Sequence, residues 1–380
     1  MRKSIPFFLF LSLLLFACSP LIQKPLDNAN QIEEPILVKP EVPKVIFVDP
    51  VEINPPNTNY LPAFEGQTRI TGVETSTPYT STILTTDLHE PWGIDVLPHG
   101  DLVVTEKSGK LRIVKRDGTM SQVITGFPTI NSSGQGGLLD VTVSPHFSQD
   151  RMLYFTFSLT SPKGSLTAVG KAQLSVDQST LNSFEIIYEA IPHFIGSGHY
   201  GSRIVFDQAG YLFVSTGDRQ SVETRINSQN LNNGHGKILR ITTEGMPAQD
   251  NPFINQANTH APIYAYGLRN VQGLAINPMT GDLWASEMGP LGGDEVNLIQ
   301  SSKNYGWPII SYGKEYNGSP IGAGITQKDG MMQPVYYWDP AVAPSGMIFY
   351  TSNVIPEWSN NLFIATLDRK STRLNSSHGI

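Results

Sequence analysis

The sequence predicts an all-β propeller, and three observations lead there: a hairpin pattern that recurs five times, an equivalent leucine in each copy, and no convincing amphipathic helix between copies. Each copy is an alternating apolar strand, a turn rich in Pro, Gly, Asn or Asp, and a second strand opening near leucine. In order they are IDVLPHGDLVVTE (94–106), VTVSPHFSQDRMLYFTFS (141–158), IVFDQAGYLFVSTGD (204–218), LAINPMTGDLWASE (274–287) and, more loosely, MIFYTSNVIPEWSNNLFIATL (347–367). The equivalent leucines, Leu102, Leu153, Leu212, Leu283 and Leu362, stand 51, 59, 71 and 79 residues apart. GKLRIVKRDG (109–118) and GKILRITTEG (236–245) follow two of the hairpins as outer-strand candidates. Four-stranded blades around an axis suit this pattern better than a parallel α/β sheet. The widening intervals imply insertions in the later blades, on the face where propellers place function. Five hairpins followed by a cut-off C-terminus imply six blades in the complete protein, the last truncated here.

The ends have a different character. Residues 1–17 carry two basic residues and then an apolar run, which is the pattern of a secretory signal and too short for a spanning helix. The LFAC ending resembles a bacterial lipobox, which would make Cys18 the lipidated mature N-terminus and place the protein outside the cytoplasm on a membrane anchor; the alternative is an incidental cysteine beside a simple cleavage site. Cys18 is the only cysteine, so the exported domain has no disulfide and depends on its core or on bound ions. Residues 18–66 are proline-rich and without hydrophobic period, the composition of an extended tether. Residues 67–367 form the expected propeller domain. Beyond Leu367, Asp368 to His378 resembles the translation of a sequencing adapter, so residues 368–380 are set aside and the natural chain is expected to continue differently. The net charge is −7 even with the basic signal and tail included, which makes nucleic acid a poor partner.

Several residues carry possible chemistry. SEMGPLGGDEVNLI (286–299) places two acids beside a glycine-rich turn whose carbonyls lack steric cover. Carbonyls with carboxylates suit a hard cation such as calcium, and a hairpin loop with solvated acids is the competing explanation. His199, in SGHYGSRIVFD, lies just before the third hairpin among small residues, where an imidazole can act as a base. Arg269 and Asn270, in YGLRNVQGLAINP, hold the corresponding place before the fourth, and an arginine there can bind a carboxylate or brace loop carbonyls. Gln135, in NSSGQGGLLDVTVSP, holds it before the second. Three successive blades thus bring Gln135, His199 and Arg269 to one mouth, with the Gly289-Pro290 turn leaving the fourth blade.

The stretches PWGIDVLPHGDLVVTEKSGKLRIV, GQGGLLDVTVSPHF, HYGSRIVFDQAGYLFVSTGD, YGLRNVQGLAINPMTGDLWASEMGPLGGDEVNLI, NYGWP and APSGMIFY resemble, in order, the soluble quinoprotein glucose/sorbosone dehydrogenase family, nearest its bacterial aldose sugar dehydrogenases. The resemblance implies a six-bladed propeller that holds pyrroloquinoline quinone (PQQ) through Ca2+ and oxidises aldose sugars at C1 to lactones. It assigns His199 as general base, Gln135, Arg269 and Asn270 to the cofactor, Gly289 and Pro290 as carbonyl ligands of the cofactor's calcium, and Glu295 with the Tyr305 carbonyl to a further calcium site. The cofactor carries the redox step and the protein supplies position and electrostatics.

Two departures qualify the resemblance. In the glucose dehydrogenase branch an aspartate precedes the histidine, where this chain has Gly198, so substrate contacts must differ. The family's cofactor-binding lysine falls at Asp368, inside the segment set aside, and its later arginines lie beyond it. Two other functions compete: a non-catalytic extracellular binding propeller, and a calcium-dependent lactonase with side-chain carboxylate and Asn ligands at the axis. The combination of Gln135, His199 and Arg269 favours the enzyme, and the backbone-type Gly289-Pro290 turn speaks against the lactonase. The physiological electron acceptor and the preferred sugar are not legible.

Overall fold

β-Branched and aromatic residues alternating with polar ones, cut by glycine and proline turns, leave this chain almost no option but strands. The computed structural model describes residues 46–50 and 52–367. Cys18, the signal, most of the tether and residues 368–380 lie outside the described residues. A short pair, β1 (Ile46–Val48) with β2 (Gly72–Glu74), comes first. Then follow five antiparallel meanders in chain order. The first is β3 (Pro91–Val96), β4 (Leu102–Glu106) and β5 (Lys110–Val114). The second is β6 (Leu138–Val143), β7 (Met152–Ser161), β8 (Gly164–Leu174) and β9 (Leu181–Glu189). The third is β10 (Ile204–Phe206), β11 (Leu212–Ser215), β12 (Lys237–Ile241) and β13 (Ile263–Tyr266). The fourth is β14 (Val271–Ile276), β15 (Leu283–Glu287), β16 (Asp294–Ile299) and β17 (Tyr336–Trp338). The fifth is the hairpin β18 (Pro344–Phe349) and β19 (Leu362–Thr366). Among the described residues helix is confined to single turns, such as Phe147–Asp150.

The first strand of each meander lies beside the first strand of the next: β3 with β6, β6 with β10, β10 with β14, β14 with β18. That is the arrangement of blades around an axis. One apolar cluster fills each gap between neighbouring blades: Val103 and Leu111 with Phe155, Tyr154 with Leu212, Phe213 with Leu274, and Ala275 with Phe349. The fold is therefore an all-β propeller, but the expectation of six blades is not met among the described residues. They hold four blades of three or four strands and a fifth sheet of two.

All five predicted hairpins are present, and the repeat leucines begin or nearly begin the second strand of each. Three residues after each leucine stands a second repeat: Thr105, Thr156, Ser215 and Ser286, all with no exposed surface. Each hydroxyl donates to a carbonyl of the next blade: Thr105 to Leu139 at 2.5 Å, Thr156 to Ser202 at 2.5 Å, Ser215 to Val271 at 3.0 Å and Ser286 to Ser345 at 3.1 Å. Three of them also accept an N–H from their own blade, from Gly93, Asp140 and Arg203. The ladder of β3 with β4 slips between Pro91 and Ile94, and that of β6 with β7 between Leu138 and Val141. A bulge strands one backbone N–H, and the hydroxyl satisfies it while stapling the neighbouring blade. In the fifth sheet the equivalent residue is Ala365, which has no hydroxyl.

The end of the proline-rich segment differs from a free tether. Asn57 N and Thr58 N donate to the Asp339 carboxylate at 2.8 and 2.9 Å, and the Arg69 guanidinium donates to the carbonyls of Glu52, Asn54 and Asp339 at 2.6 to 2.8 Å. Tyr336 donates to Glu52 at 2.5 Å, and Tyr337 stacks on Tyr312 at 3.9 Å between ring centroids. Residues 52–69 are strapped onto β17 because caps and aromatic surface there replace the missing hydrophobic period. Among the described residues no helix is long and apolar enough to cross a membrane.

Candidate active site

His199 sits in the loop GHYGSR that enters β10, in a left-handed backbone conformation at φ 42°. A side chain pays strain to stay there, and two neighbours hold it. The Gln135 side-chain carbonyl accepts the His199 backbone N–H at 2.7 Å, and the Gln135 N–H is itself tied to Ser197 at 2.7 Å. Gly217 opposite has no side chain to intrude: a Cβ there would fall 2.2 Å from the His199 carbonyl oxygen. The loops before the second and third blades are thus tied to each other through Gln135 and His199.

The imidazole is buried, at 4% exposure, and its Nδ1 lies 2.7 Å from Oδ1 of Asp218. Asp218 leaves the end of β11, and its other oxygen accepts the Trp307 indole N–H at 2.8 Å. Burial lowers the His199 pKa below 6.5; the Asp218 hydrogen bond opposes that, while the Arg269 and Arg219 charges reinforce it. Burial pushes the Asp218 carboxyl up, but His199, Arg269 and the Gln220 N–H together more than offset this and hold it below 3.8. The lowered His199 value leaves the imidazole neutral at neutral pH, beside an ionised Asp218. Nδ1 therefore carries the proton, donated to Asp218, and Nε2 keeps its lone pair. Nε2 has no hydrogen-bond partner among the described residues.

Arg269 lies one contact further. Its carbonyl accepts the Asp218 backbone N–H at 2.8 Å, and its guanidinium lies 5.3 Å from the centre of the Trp307 ring. One terminal nitrogen donates to the Met288 carbonyl at 2.8 Å, but the buried Nε has no partner. Asn270 is buried, with its side-chain oxygen accepting from Gly201 and Gln272, both at 3.1 Å. It joins the third blade's entry loop to the fourth, and its backbone pairs with Gly217.

A small pocket opens beside this cluster, lined by Arg269, Glu287, Gly289, Pro290, Glu295, Tyr305 and Trp307 among others. The four residues assigned to calcium by resemblance, Gly289, Pro290, Glu295 and Tyr305, therefore line one pocket with Arg269. The glycine-rich turn is dictated by packing: a Cβ on Gly289 would meet the Gly293 carbonyl at 2.2 Å, and one on Gly293 would meet the Gly313 N at 2.4 Å. The two acids of the turn do different things. Asp294 accepts the backbone N–H of Gly289 at 2.6 Å and those of Val342 and Ala343 at 2.7 Å, so it clamps the turn. Burial still raises its pKa to about 6. Glu295 pairs directly across the ladder with Glu287, and Asn297 donates to both carboxyl groups, at 3.4 Å to Glu287 and 3.1 Å to Glu295.

Glu287 was not foreseen. It also accepts the backbone N–H of Arg269 at 2.7 Å, the place Glu106 takes in the first blade toward His89. Burial raises both Glu287 and Glu295, and the neighbouring charges of Glu287 and Asp294 oppose ionisation of Glu295 further. Two buried carboxylates side by side need a proton or a cation between them. The donor set, carboxylates with open carbonyls, fits a hard cation such as calcium, and the unpartnered Arg269 Nε fits an anionic ligand. Among the described residues no three His, Cys, Asp or Glu side chains form a metal cluster by themselves, so carbonyls would have to complete the set. Asp218 and Trp307 were also missed, since a lone acid after a strand and a tryptophan in NYGWP carry no spacing signal.

An all-β propeller with a carboxylate-oriented histidine at the mouth, beside an acidic and arginine-lined pocket, defines an enzyme-like site in a class of many chemistries. Comparison with known proteins narrows the class. The Glucose / Sorbosone dehydrogenase family model matches residues 88–378, a span that runs into the adapter-like segment. The chain belongs to the glucose/sorbosone dehydrogenase family. It is 39% identical over 301 residues to aldose sugar dehydrogenase YliI of Escherichia coli, covering 78% of this chain and 80% of that protein. The apo crystal structure of the soluble E. coli aldose sugar dehydrogenase superposes with a TM-score of 0.72 at 39% identity, over 75% of this chain and 82% of that one. The PQQ-bound aldose sugar dehydrogenase of Streptomyces coelicolor superposes at 0.62 and 31% identity, over 75% and 76% of the two chains.

Proposed function

We propose that this protein is a PQQ- and calcium-dependent oxidoreductase that converts aldose sugars to lactones at C1. The observation that carries the reading is the His199 imidazole, oriented through Nδ1 by Asp218 and left with a free Nε2, one contact away from the Arg269 pocket. Its family membership and the PQQ-bound S. coelicolor relative support the cofactor. Arg269 and Asn270, with Gln135 at the rim, would hold the anionic quinone; the carbonyls of Gly289 and Pro290 would hold the cofactor's calcium, and Glu295 with the Tyr305 carbonyl a further calcium. When bound, the quinone supplies the two-electron acceptor for the hydride that leaves C1, and calcium stabilises negative charge near it.

The protein's own part follows from the residues. His199 Nε2 would accept the proton of the anomeric hydroxyl, so the C1–O bond becomes a carbonyl as hydride departs and the sugar ring, closed throughout, is left as a lactone. Asp218 stabilises the imidazolium formed and fixes the tautomer, and Trp307 holds the second Asp218 oxygen. The test is dye-linked oxidation of glucose and related aldoses by the chain, with and without added PQQ and calcium. Turnover only with both additions supports the reading. Turnover without PQQ, or none under any loading, overturns it.

A further inference from the structure

Gln220 occupies a position that the established features of the site do not use. It follows Asp218 by two residues, and both Arg219 and Gln220 adopt left-handed backbone conformations, at φ 68° and 59°. Neither is glycine, and consecutive side-chain-bearing residues in that region are strained. Arg219 is fixed by burial, stacking at 3.6 Å over the Tyr200 ring and donating to Ser165 and Gly196, both at 2.9 Å. The Gln220 backbone N–H donates to the same Asp218 oxygen that accepts from His199, at 2.8 Å. This strained turn delivers the Gln220 side chain over Gly198, the residue before the base. A Cβ built on Gly198 would lie 1.8 Å from the Gln220 side-chain oxygen and 2.8 Å from its Cβ and Cδ. The space next to the base that a side chain at position 198 would take is therefore filled by the amide of Gln220. Gln220 is exposed while His199, Asp218 and Arg219 beneath it are buried. Its amide thus stands at the rim beside a buried base, with one donor and one acceptor group to offer.

We propose that the Gln220 amide is a specificity-determining residue, and that it hydrogen-bonds the sugar hydroxyl on the carbon adjacent to the one that is oxidised. The proposal rests on the aldose-oxidising reading above. With the C1 hydroxyl against the base, the nearest further hydroxyl of the sugar is the one on C2, and an amide standing at the rim beside the base can both donate to and accept from it. One such bond is worth roughly a tenfold discrimination, about 1.4 kcal/mol, between a sugar that has the hydroxyl and one that lacks it.

Two independent substitutions displace the same amide. Gln220→Ala removes it. Gly198→Ala leaves it in the sequence but puts a methyl group where it sits. The experiment measures kcat/KM for glucose and 2-deoxyglucose on the parent, both single variants and the double variant, in the PQQ- and calcium-loaded chain, and the binding of both sugars by NMR chemical-shift titration. We expect the parent to prefer glucose about tenfold, each single variant to lose most of that preference mainly through KM, and the double variant to lose no more than either single one, because both act on one group. Gln220→Asn, which tolerates the left-handed backbone, should keep part of the preference. A parent that does not discriminate, variants that discriminate like the parent, or fully additive losses would each overturn the proposal. Should the parent oxidise neither sugar, the oxidation reading falls while the binding titration still decides the role of Gln220: equal loss of discrimination in the variants supports it, and unchanged relative affinities refute it.

Discussion

His199 Nδ1 and Asp218 Oδ1 lie 2.7 Å apart, at the end of a loop from one turn of the third blade and a strand end of the same blade. The contact is short, buried and directional, so it fixes which nitrogen bears the proton. Trp307 brings in the fourth blade's insertion at the second Asp218 oxygen, and Gln135 brings in the second blade at the His199 backbone. Three blades therefore aim one lone pair.

Replacing His199 by glutamine should lower turnover by about 10²-fold or more while PQQ binding persists, because only proton transfer loses its group. Steady-state kinetics with a separate spectroscopic PQQ titration checks this. Turnover within a few-fold of the parent would remove His199 from the role, whereas parallel loss of PQQ affinity would make it a cofactor residue instead.

The pH dependence follows from the same pair. Burial first, against the Asp218 bond, holds His199 below 6.5, and the neutral form is the base. Hence kcat/KM should be level through neutral pH and fall on the acid side of a pKa that lies below 6.5. Stability carries the same sign. The unfolded chain takes up a proton near 6.5 that the folded site resists, so the contribution of His199 is full above 6.5 and is lost as pH falls toward its lower folded value. His235, pushed down to about 4 by burial, adds a second loss between 6.5 and 4. Thermal melts from pH 8 to 4 alongside a pH–rate profile test both; an acid limb centred above 7 would contradict the assignment.

The interblade hydroxyls give a stability prediction independent of catalysis. Thr156→Val keeps the shape but leaves the Asp140 N–H and the Ser202 carbonyl unsatisfied in a site with no exposed surface. The cost should be about 2–4 kcal/mol, and the melting temperature should drop by roughly 5 °C or more. Thr160→Val, on the same strand but exposed, should stay within about 0.5 kcal/mol. Equal melting of the two variants would mean that the staples carry little of the stability.

What the sequence made legible was what repeats or what stands alone among small residues. The leucines marked five hairpins because period-two patterning and turn chemistry are local. The hydroxyl three residues later was equally periodic, yet its meaning depends on a carbonyl up to 59 residues away, from Ser286 to Ser345, which no local pattern announces. The strand pair β8 and β9 was overlooked because GSLTAVGKAQL and LNSFEIIYE lack the leucine-led turn. At the site, His199, Gln135, Arg269 and the Gly289-Pro290 turn could be found because each occupies the same place before or after a hairpin. Asp218, Trp307 and Glu287 could not, since each acts by reaching across to another blade or strand.

The final prediction separates the two acids of the glycine-rich turn. If Glu295 and Glu287 face a calcium ion, thorough chelation should remove activity and lower the melting temperature, since an ion bound only by the folded chain adds about 2.7 kcal/mol at a hundredfold excess over its Kd. Glu295→Gln should behave in the opposite way without calcium. It relieves the charge conflict across the ladder with Glu287, so the metal-free variant should melt at or above the metal-free parent, and added calcium should raise its melting temperature less. Asp294→Asn should destabilise with or without calcium, because its carboxylate accepts three backbone N–H groups and clamps the turn. Melting curves of the three proteins with chelator and with calcium decide the matter. Indifference of the parent to chelation would sink the calcium assignment, and a calcium response in Glu295→Gln as large as the parent's would move the ion away from Glu295.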